Sequence, residues 1–177
     1  KHELALPNTP VERAWRFFVL NRQSRQGLMK DFATMSRTRT RRGMNEQVSS
    51  WLTAIEGLPE THERLKRVVI FNKTAVEIIS QEDSEETFFY LDPPYLHGTR
   101  TTKKEYGANE MSDDDHARLL AELLTSRGKF ILSGYPSEMY NNAAQIGDWR
   151  RVEKKIDNKA SAKKIKDTKT ECVWLNF

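Results

Sequence analysis

Asp92-Pro93-Pro94-Tyr95 follows directly on the apolar run Thr87-Phe88-Phe89-Tyr90-Leu91, which sets a rigid, acceptor-rich corner at the end of a short strand. Neither proline has an N–H, so both stop a strand ladder, and they bias Asp92 and Pro93 toward extended geometry. The crevice beyond the carboxyl ends of strands is where open α/β sheets hold ligands. A carboxylate at Asp92 and a carbonyl at Pro93 can each accept a hydrogen bond from an exocyclic amino group, and the Tyr95 ring can lie against a flat base. The chemistry these residues indicate is the holding of a nucleobase amine. Four residues alone would also fit a proline turn with a capping aspartate.

The elements that must carry this corner follow from periodicity. Phe88 to Leu91 reads as a short buried strand of an α/β sheet. Downstream, Ser112 with Asp115 three residues on has the spacing of a capping box, Leu119, Leu120, Leu123 and Leu124 lay one apolar stripe, and Gly128 closes the helix. Lys129 to Ser133 is the next expected strand; Trp149 to Ile156 and Cys172 to Phe177 are expected as the last two, antiparallel to each other. The alternation of strand and helix implies parallel strands with crossover helices.

Upstream, a helix is expected from Pro10, with Thr9 as its N-cap, Glu12 at the third position, and Trp15, Phe18 and Val19 on one face. A second starts near Asn45 and runs through Trp51, Leu52 and Ile55 until Gly57 and Pro59 end it. A short helix over Pro59 to Lys66 then precedes an expected strand, Val68 to Phe71. Trp15, Phe17, Phe18 and Trp51 are expected in the core of this region rather than as platforms for bases.

A chain of 177 residues can bury one core, with an appendage at most. The hydrophobic fraction is 37% and the mean hydropathy −0.74, with no run of eighteen apolar residues and no signal-like start, so nothing points to a membrane or to export. The single cysteine, Cys172, excludes an internal disulfide and reads as a small buried side chain, which makes the cytoplasm the expected compartment. His2, His62, His97 and His116 are scattered, so no metal site is expected. No Gly-x-Ser-x-Gly elbow exists for a serine hydrolase.

The net charge of +4 and the pI near 9.2 favour a polyanionic partner. Arg22, Arg25, Arg37, Arg39, Arg41 and Arg42 concentrate in the first quarter of the chain, interleaved with Ser36, Thr38 and Thr40. That composition suits a nucleic-acid backbone, held by charge and forked hydrogen bonds, although a solvated loop has the same look. His97, Thr99 and Arg100 follow the corner closely, and His97 is a candidate phosphate contact. Asp157 to Lys169, with Lys159, Lys163, Lys164, Lys166 and Lys169, carries too little apolar surface to order itself and reads as a solvated hairpin loop.

In order and spacing, several blocks resemble the Dam-like (D12 class) adenine-specific DNA N6-methyltransferases. These are Arg67-Val68-Val69-Ile70-Phe71-Asn72, the run from Phe88 to Tyr95, Tyr106 with Glu110-Met111, Gly128 to Tyr135, and Thr170-Glu171-Cys172-Val173-Trp174-Leu175-Asn176. The resemblance covers roughly residues 10 to 177. It implies an α/β fold with a Rossmann-like sheet that uses S-adenosylmethionine, incomplete at its N-terminal side, and a small helical DNA-recognition segment. The recognition segment would span residues 1–65 and the catalytic region 66–177. The implied activity is methyl transfer to the N6 amine of adenine flipped out of double-stranded DNA. Asp92, Pro93, Pro94 and Tyr95 would be catalytic, and Asn72 and Asp92 would face the cofactor. Arg22, Arg25, Arg37, Arg39, Arg41, Arg42, His97, Arg100 and Tyr106 would contact DNA.

Two departures from that pattern matter. The family keeps a glycine-rich loop ahead of its recognition segment, and the eight glycines here include no Gly-x-Gly pair. The chain is therefore expected to be the carboxyl-terminal part of a longer methyltransferase, inactive on its own. Relatives also place an acid near the position of Thr74, where this sequence reads Asn72-Lys73-Thr74. Alternatives are a DNA-binding remnant without a cofactor half and an RNA guanine-N2 methyltransferase, which grips an exocyclic amine with a similar corner.

Overall fold

A computed structural model describes residues 9–27, 29, 31–33, 36–100, 107–157 and 168–177. The chain divides into two compact units, Lys1–Ile70 and Phe71–Phe177.

In the first unit, α1 (Pro10–Gln23) opens with a reciprocal capping box: the Thr9 hydroxyl accepts from the Glu12 N–H while the Glu12 carboxylate accepts from the Thr9 N–H. Two orphan donors are satisfied at once, and Pro10 fits a position that needs no N–H. The arginine-rich stretch is not a plain loop. Thr40–Arg41 (β1) and Met44–Asn45 (β2) pair antiparallel across a two-residue turn in which Arg42 (φ 55°) and Gly43 (φ 73°) are both left-handed, the twist that a tight hairpin favours. Asn45 then caps α2 (Glu46–Glu56) by accepting from the N–H groups of Gln47 and Val48. The short α3 (Leu58–Leu65) has Pro59 in its first turn.

Two expectations for this region are overturned. Trp15 and Phe17 are not core residues: they are 62% and 59% exposed, and the aromatic packing described here is Phe18 against Trp51, centroids 5.7 Å apart. Val68 to Phe71 forms no strand; it runs as irregular chain, with Val69 and Ile70 exposed by more than 70%. A β-rich composition makes a strand only where a neighbouring edge accepts its ladder, and no described strand pairs with this stretch.

The second unit begins with α4 (Ala75–Glu82), capped reciprocally by Thr74 and Glu77. Then follow β3 (Phe88–Leu91), α5 (Asp113–Thr125), β4 (Lys129–Gly134), α6 (Glu138–Ile146), β5 (Arg150–Asp157) and β6 (Thr168–Leu175). The sheet order is β3-β4-β6-β5, and it is mixed: β3 and β4 run parallel, while β6 is antiparallel to both β4 and β5. A parallel pair needs a crossover, which α5 supplies. The last two strands are antiparallel as the sequence indicates, and Ser112 and Asp115 do form the reciprocal cap of α5. Of the lysine-rich segment, residues 158–167 lie outside the described residues.

The core of this unit joins Phe89, Phe130, Leu132 and Trp174 of the sheet to Ile79, Leu119, Leu123 and Tyr140 of the helices, with Cys172 buried among them. Where α5 turns into β4, a Cβ on Gly128 would come within 2.9 Å of the Phe89 ring and 3.0 Å of the Thr87 carbonyl, so only glycine fits this close approach. The Asp83 carboxylate accepts from the N–H groups of Arg127 (3.0 Å) and Gly128 (2.8 Å). Those backbone hydrogen bonds, with the Arg127 side chain, hold the Asp83 carboxyl below the usual carboxylate range. This junction fixes how far β3 and β4 run beside one another. No helix among the described residues is long and apolar enough to cross a membrane.

Candidate active site

The parallel register pairs Leu91 with Leu132, so the residues that follow, Asp92 and Ser133, emerge side by side at the carboxyl end of the sheet. Asp92 is exposed. One of its carboxylate oxygens accepts the Ser133 hydroxyl at 2.7 Å, and the same hydroxyl lies 3.2 Å from the Leu91 carbonyl. Ser133 itself is buried. Pro93, Pro94 and Tyr95 are each partly buried, and Leu96 behind them is buried in the core. The corner is thus backed by packed side chains, with its carboxylate facing outward.

The Tyr95 ring meets Tyr135 edge to face, centroids 4.7 Å apart and planes at 79°. Burial pushes the Tyr95 phenol up to about 12, with the charge of Asp92 adding to the shift, so the ring stays neutral and protonated across the physiological range. The Lys169 ammonium stands over the Tyr135 ring, 4.9 Å from its centroid. Ser133 and Tyr135 were not singled out from sequence as site residues. The signal available was a polar residue ending the apolar strand Phe130-Ile131-Leu132, but its meaning depends on the register with β3.

The loop after the corner is tied down. The Arg100 side chain is only 6% exposed and pairs with Glu110. Arg100, expected to contact DNA, is thus a buried guanidinium that already holds a carboxylate. The same carboxylate lies 3.6 Å from His97 Nε2, which leaves His97 partly exposed at the rim. Beneath them, fully buried His116 is hydrogen-bonded through Nδ1 to the Tyr140 hydroxyl at 2.9 Å. Burial pushes His116 below the ordinary histidine value and raises Tyr140. Tyr106 lies outside the described residues.

For the cofactor the fit is incomplete. Asn72 is exposed in the stretch leading into α4 and is not a hydrogen-bond partner of Asp92. An S-adenosylmethionine site calls for backbone approached closely across glycine, yet the close approaches at Gly128, Gly134 and Gly147 are all filled by the protein's own Phe89, Trp174 and Trp149. The described residues supply an acceptor corner and no cofactor cradle. No group of three or more His, Cys, Asp or Glu among them is placed to hold a metal.

In the first unit, Arg22, Arg25, Arg37, Arg39, Arg41 and Arg42 are all exposed. Arg22 is in the last turn of α1, and Arg25 opens the 3-10 turn Arg25–Gly27. Arg41 is on β1 and Arg42 at the hairpin tip, where its guanidinium donates to Thr53 Oγ1 at 3.2 Å. Arg39 lies 3.9 Å from Glu46. Among the described residues the other five form no ion pair, so the cluster keeps its positive field.

Mixed sheet, parallel β3–β4 pair and an outward carboxylate beside two aromatic rings define an α/β protein with an acceptor-rich corner at the end of β3. A family model for D12 class N6 adenine-specific DNA methyltransferases matches residues 7–170. The chain belongs to that family, whose enzymes methylate adenine in DNA. No curated protein matches it.

Proposed function

We propose that the Asp92 corner grips the N6 amine of an adenine flipped out of duplex DNA while a methyl group from S-adenosylmethionine is transferred to it. The observation that carries this reading is the placement of Asp92: exposed, anchored through one oxygen by Ser133, with Tyr95 beside it. The free carboxylate oxygen accepts one amine proton and the Pro93 carbonyl the other, which favours a tetrahedral nitrogen with its lone pair available. As positive charge grows on that nitrogen, the fixed carboxylate opposes it without having to reorganise. The amine is out of reach while the base is stacked and paired, so the base must leave the helix at a cost of a few kcal/mol. Stacking on Tyr95 would offset about 1–3 kcal/mol of that.

In this reading the two regions divide the labour, residues 1–65 recognising DNA and 66–177 carrying the Rossmann-like catalytic sheet. Arg22, Arg25, Arg37, Arg39, Arg41 and Arg42 hold phosphates, and a two-stranded ribbon such as β1–β2 is a kind of element that the major groove admits. His97 stands at the rim of the same corner. Asn72 faces the cofactor from the stretch ahead of α4. The glycine cradle belongs to polypeptide beyond these residues. Support for that comes from β3, an edge strand whose Phe88 and Tyr90 are 53% and 69% exposed, and from the unpaired run Val68 to Phe71. An uncharged, apolar edge is one that further strands would cover.

Radiolabelled S-adenosylmethionine, offered with duplex DNA or ribosomal RNA to an enzyme preparation containing this chain, tests the proposal. Label recovered as N6-methyladenine in DNA supports it, and label in RNA guanine replaces it. Calorimetry of the 177-residue chain alone with S-adenosylmethionine should give no binding; tight binding would show that the cradle lies within the chain.

A further inference from the structure

We infer that Ser133 is a positioning residue for methyl transfer, setting the orientation of the Asp92 carboxylate through one buried hydroxyl. This inference rests on the reading of Asp92 as the amine acceptor.

Two observations meet on this side chain. Ser133 Oγ is 2.7 Å from an Asp92 carboxylate oxygen, and Ser133 is buried on β4, in ladder register with Val173. A serine hydroxyl has one proton to give and a carboxylate can only accept, so the serine proton goes to Asp92.

The consequence is geometric. Asp92 follows a strand end and is exposed, and an exposed carboxylate without a partner samples several rotamers. Fastening one oxygen to β4 leaves the other aimed outward, which converts a mobile charge into a fixed acceptor. Tyr135 separately fixes the Tyr95 ring by its edge contact. The acceptor for the amine is therefore held by a residue that touches neither the base nor its amine.

The test compares Ser133→Ala and Ser133→Thr in the active methyltransferase that contains this chain. Methylation kinetics on duplex DNA are measured along with the fluorescence of 2-aminopurine at the target position. Ser133→Ala should lower kcat by about 10- to 100-fold while KM for DNA changes by less than about threefold, because backbone contacts on the other unit are untouched. Ser133→Thr, which keeps the hydroxyl on a β-compatible side chain, should restore kcat to within about fivefold of wild type. Equal loss in both variants, or a normal kcat in Ser133→Ala, overturns the inference. A rise in KM at unchanged kcat also overturns it. A wild-type enzyme that methylates something other than adenine removes the reading beneath it, and that outcome is visible before any variant is made.

Discussion

The two units solve opposite problems. Phe71–Phe177 buries Phe130, Leu132, Leu119, Leu123 and Trp174 almost completely. In Lys1–Ile70 the only buried residues among those described are Ser24 and Ser49. Gripping an amine demands tenths of an ångström, and such fidelity comes from a packed sheet with its strand ends locked. Holding a phosphate backbone demands charge at moderate distance, which exposed arginines on a hairpin and helix ends provide without a dense core. In the proposed reading the unit with the packed core does the chemistry, and the unit assigned to DNA leaves Trp15 and Phe17 exposed.

The sharpest way to break this comparison is by truncating core against surface. Phe130→Ala should destabilise the second unit by about 3–5 kcal/mol, read as a shift of the denaturant midpoint followed by tryptophan fluorescence, while Trp15→Ala should stay within about 0.5 kcal/mol. Similar losses would mean that the first unit has a core after all. Replacing Arg39, Arg41 and Arg42 together by Gln should flatten the dependence of log Kd on log salt by about 3 and leave kcat nearly unchanged at saturating DNA. A slope that does not move would separate these arginines from DNA.

His116 probes the second unit by pH. Burial lowers its pKa beneath the ordinary 6.5, and Arg100 and His97 act in the same direction, against Asp113 and Asp115. The unfolded chain therefore takes up the proton first, so the stability that comes from keeping this ring neutral is full above pH 6.5 and is lost as pH falls through the lower folded value. Thermal midpoints of the wild type should fall as pH drops below about 6.5, and His116→Gln should flatten that limb although it is less stable at pH 7. The smallest effect expected is that of Tyr95→Phe, a loss of kcat of about two- to fivefold, because the ring contact with Tyr135 survives and only the hydroxyl goes.

What the sequence made legible was local. Thr9 with Glu12 and Ser112 with Asp115 announced their helices because a capping box is written within four residues, and Asp92 to Tyr95 announced the corner because prolines act on their immediate neighbours. Long-range partners were hidden. Arg100 looked like an open cation until Glu110 was found holding it, ten residues away. Ser133 gained meaning only when the Leu91–Leu132 register set it beside Asp92. Val68 to Phe71 has strand composition, but composition does not say whether a neighbouring edge exists. α4 and α6 were not expected, each being a short helix of eight or nine residues with little periodicity to read. The β1–β2 hairpin turns on Arg42 and Gly43 in left-handed geometry, and Arg-Gly is a weaker turn signal than Asn-Gly.

The central claim is that the Asp92 carboxylate holds and polarises the adenine amine. Asp92→Ala in the active enzyme tests it directly, with single-turnover methyl transfer and duplex affinity measured on the same preparation. Transfer should fall by about 100- to 1,000-fold or more with duplex Kd within about threefold of wild type. Retention of most of the transfer rate would contradict the account.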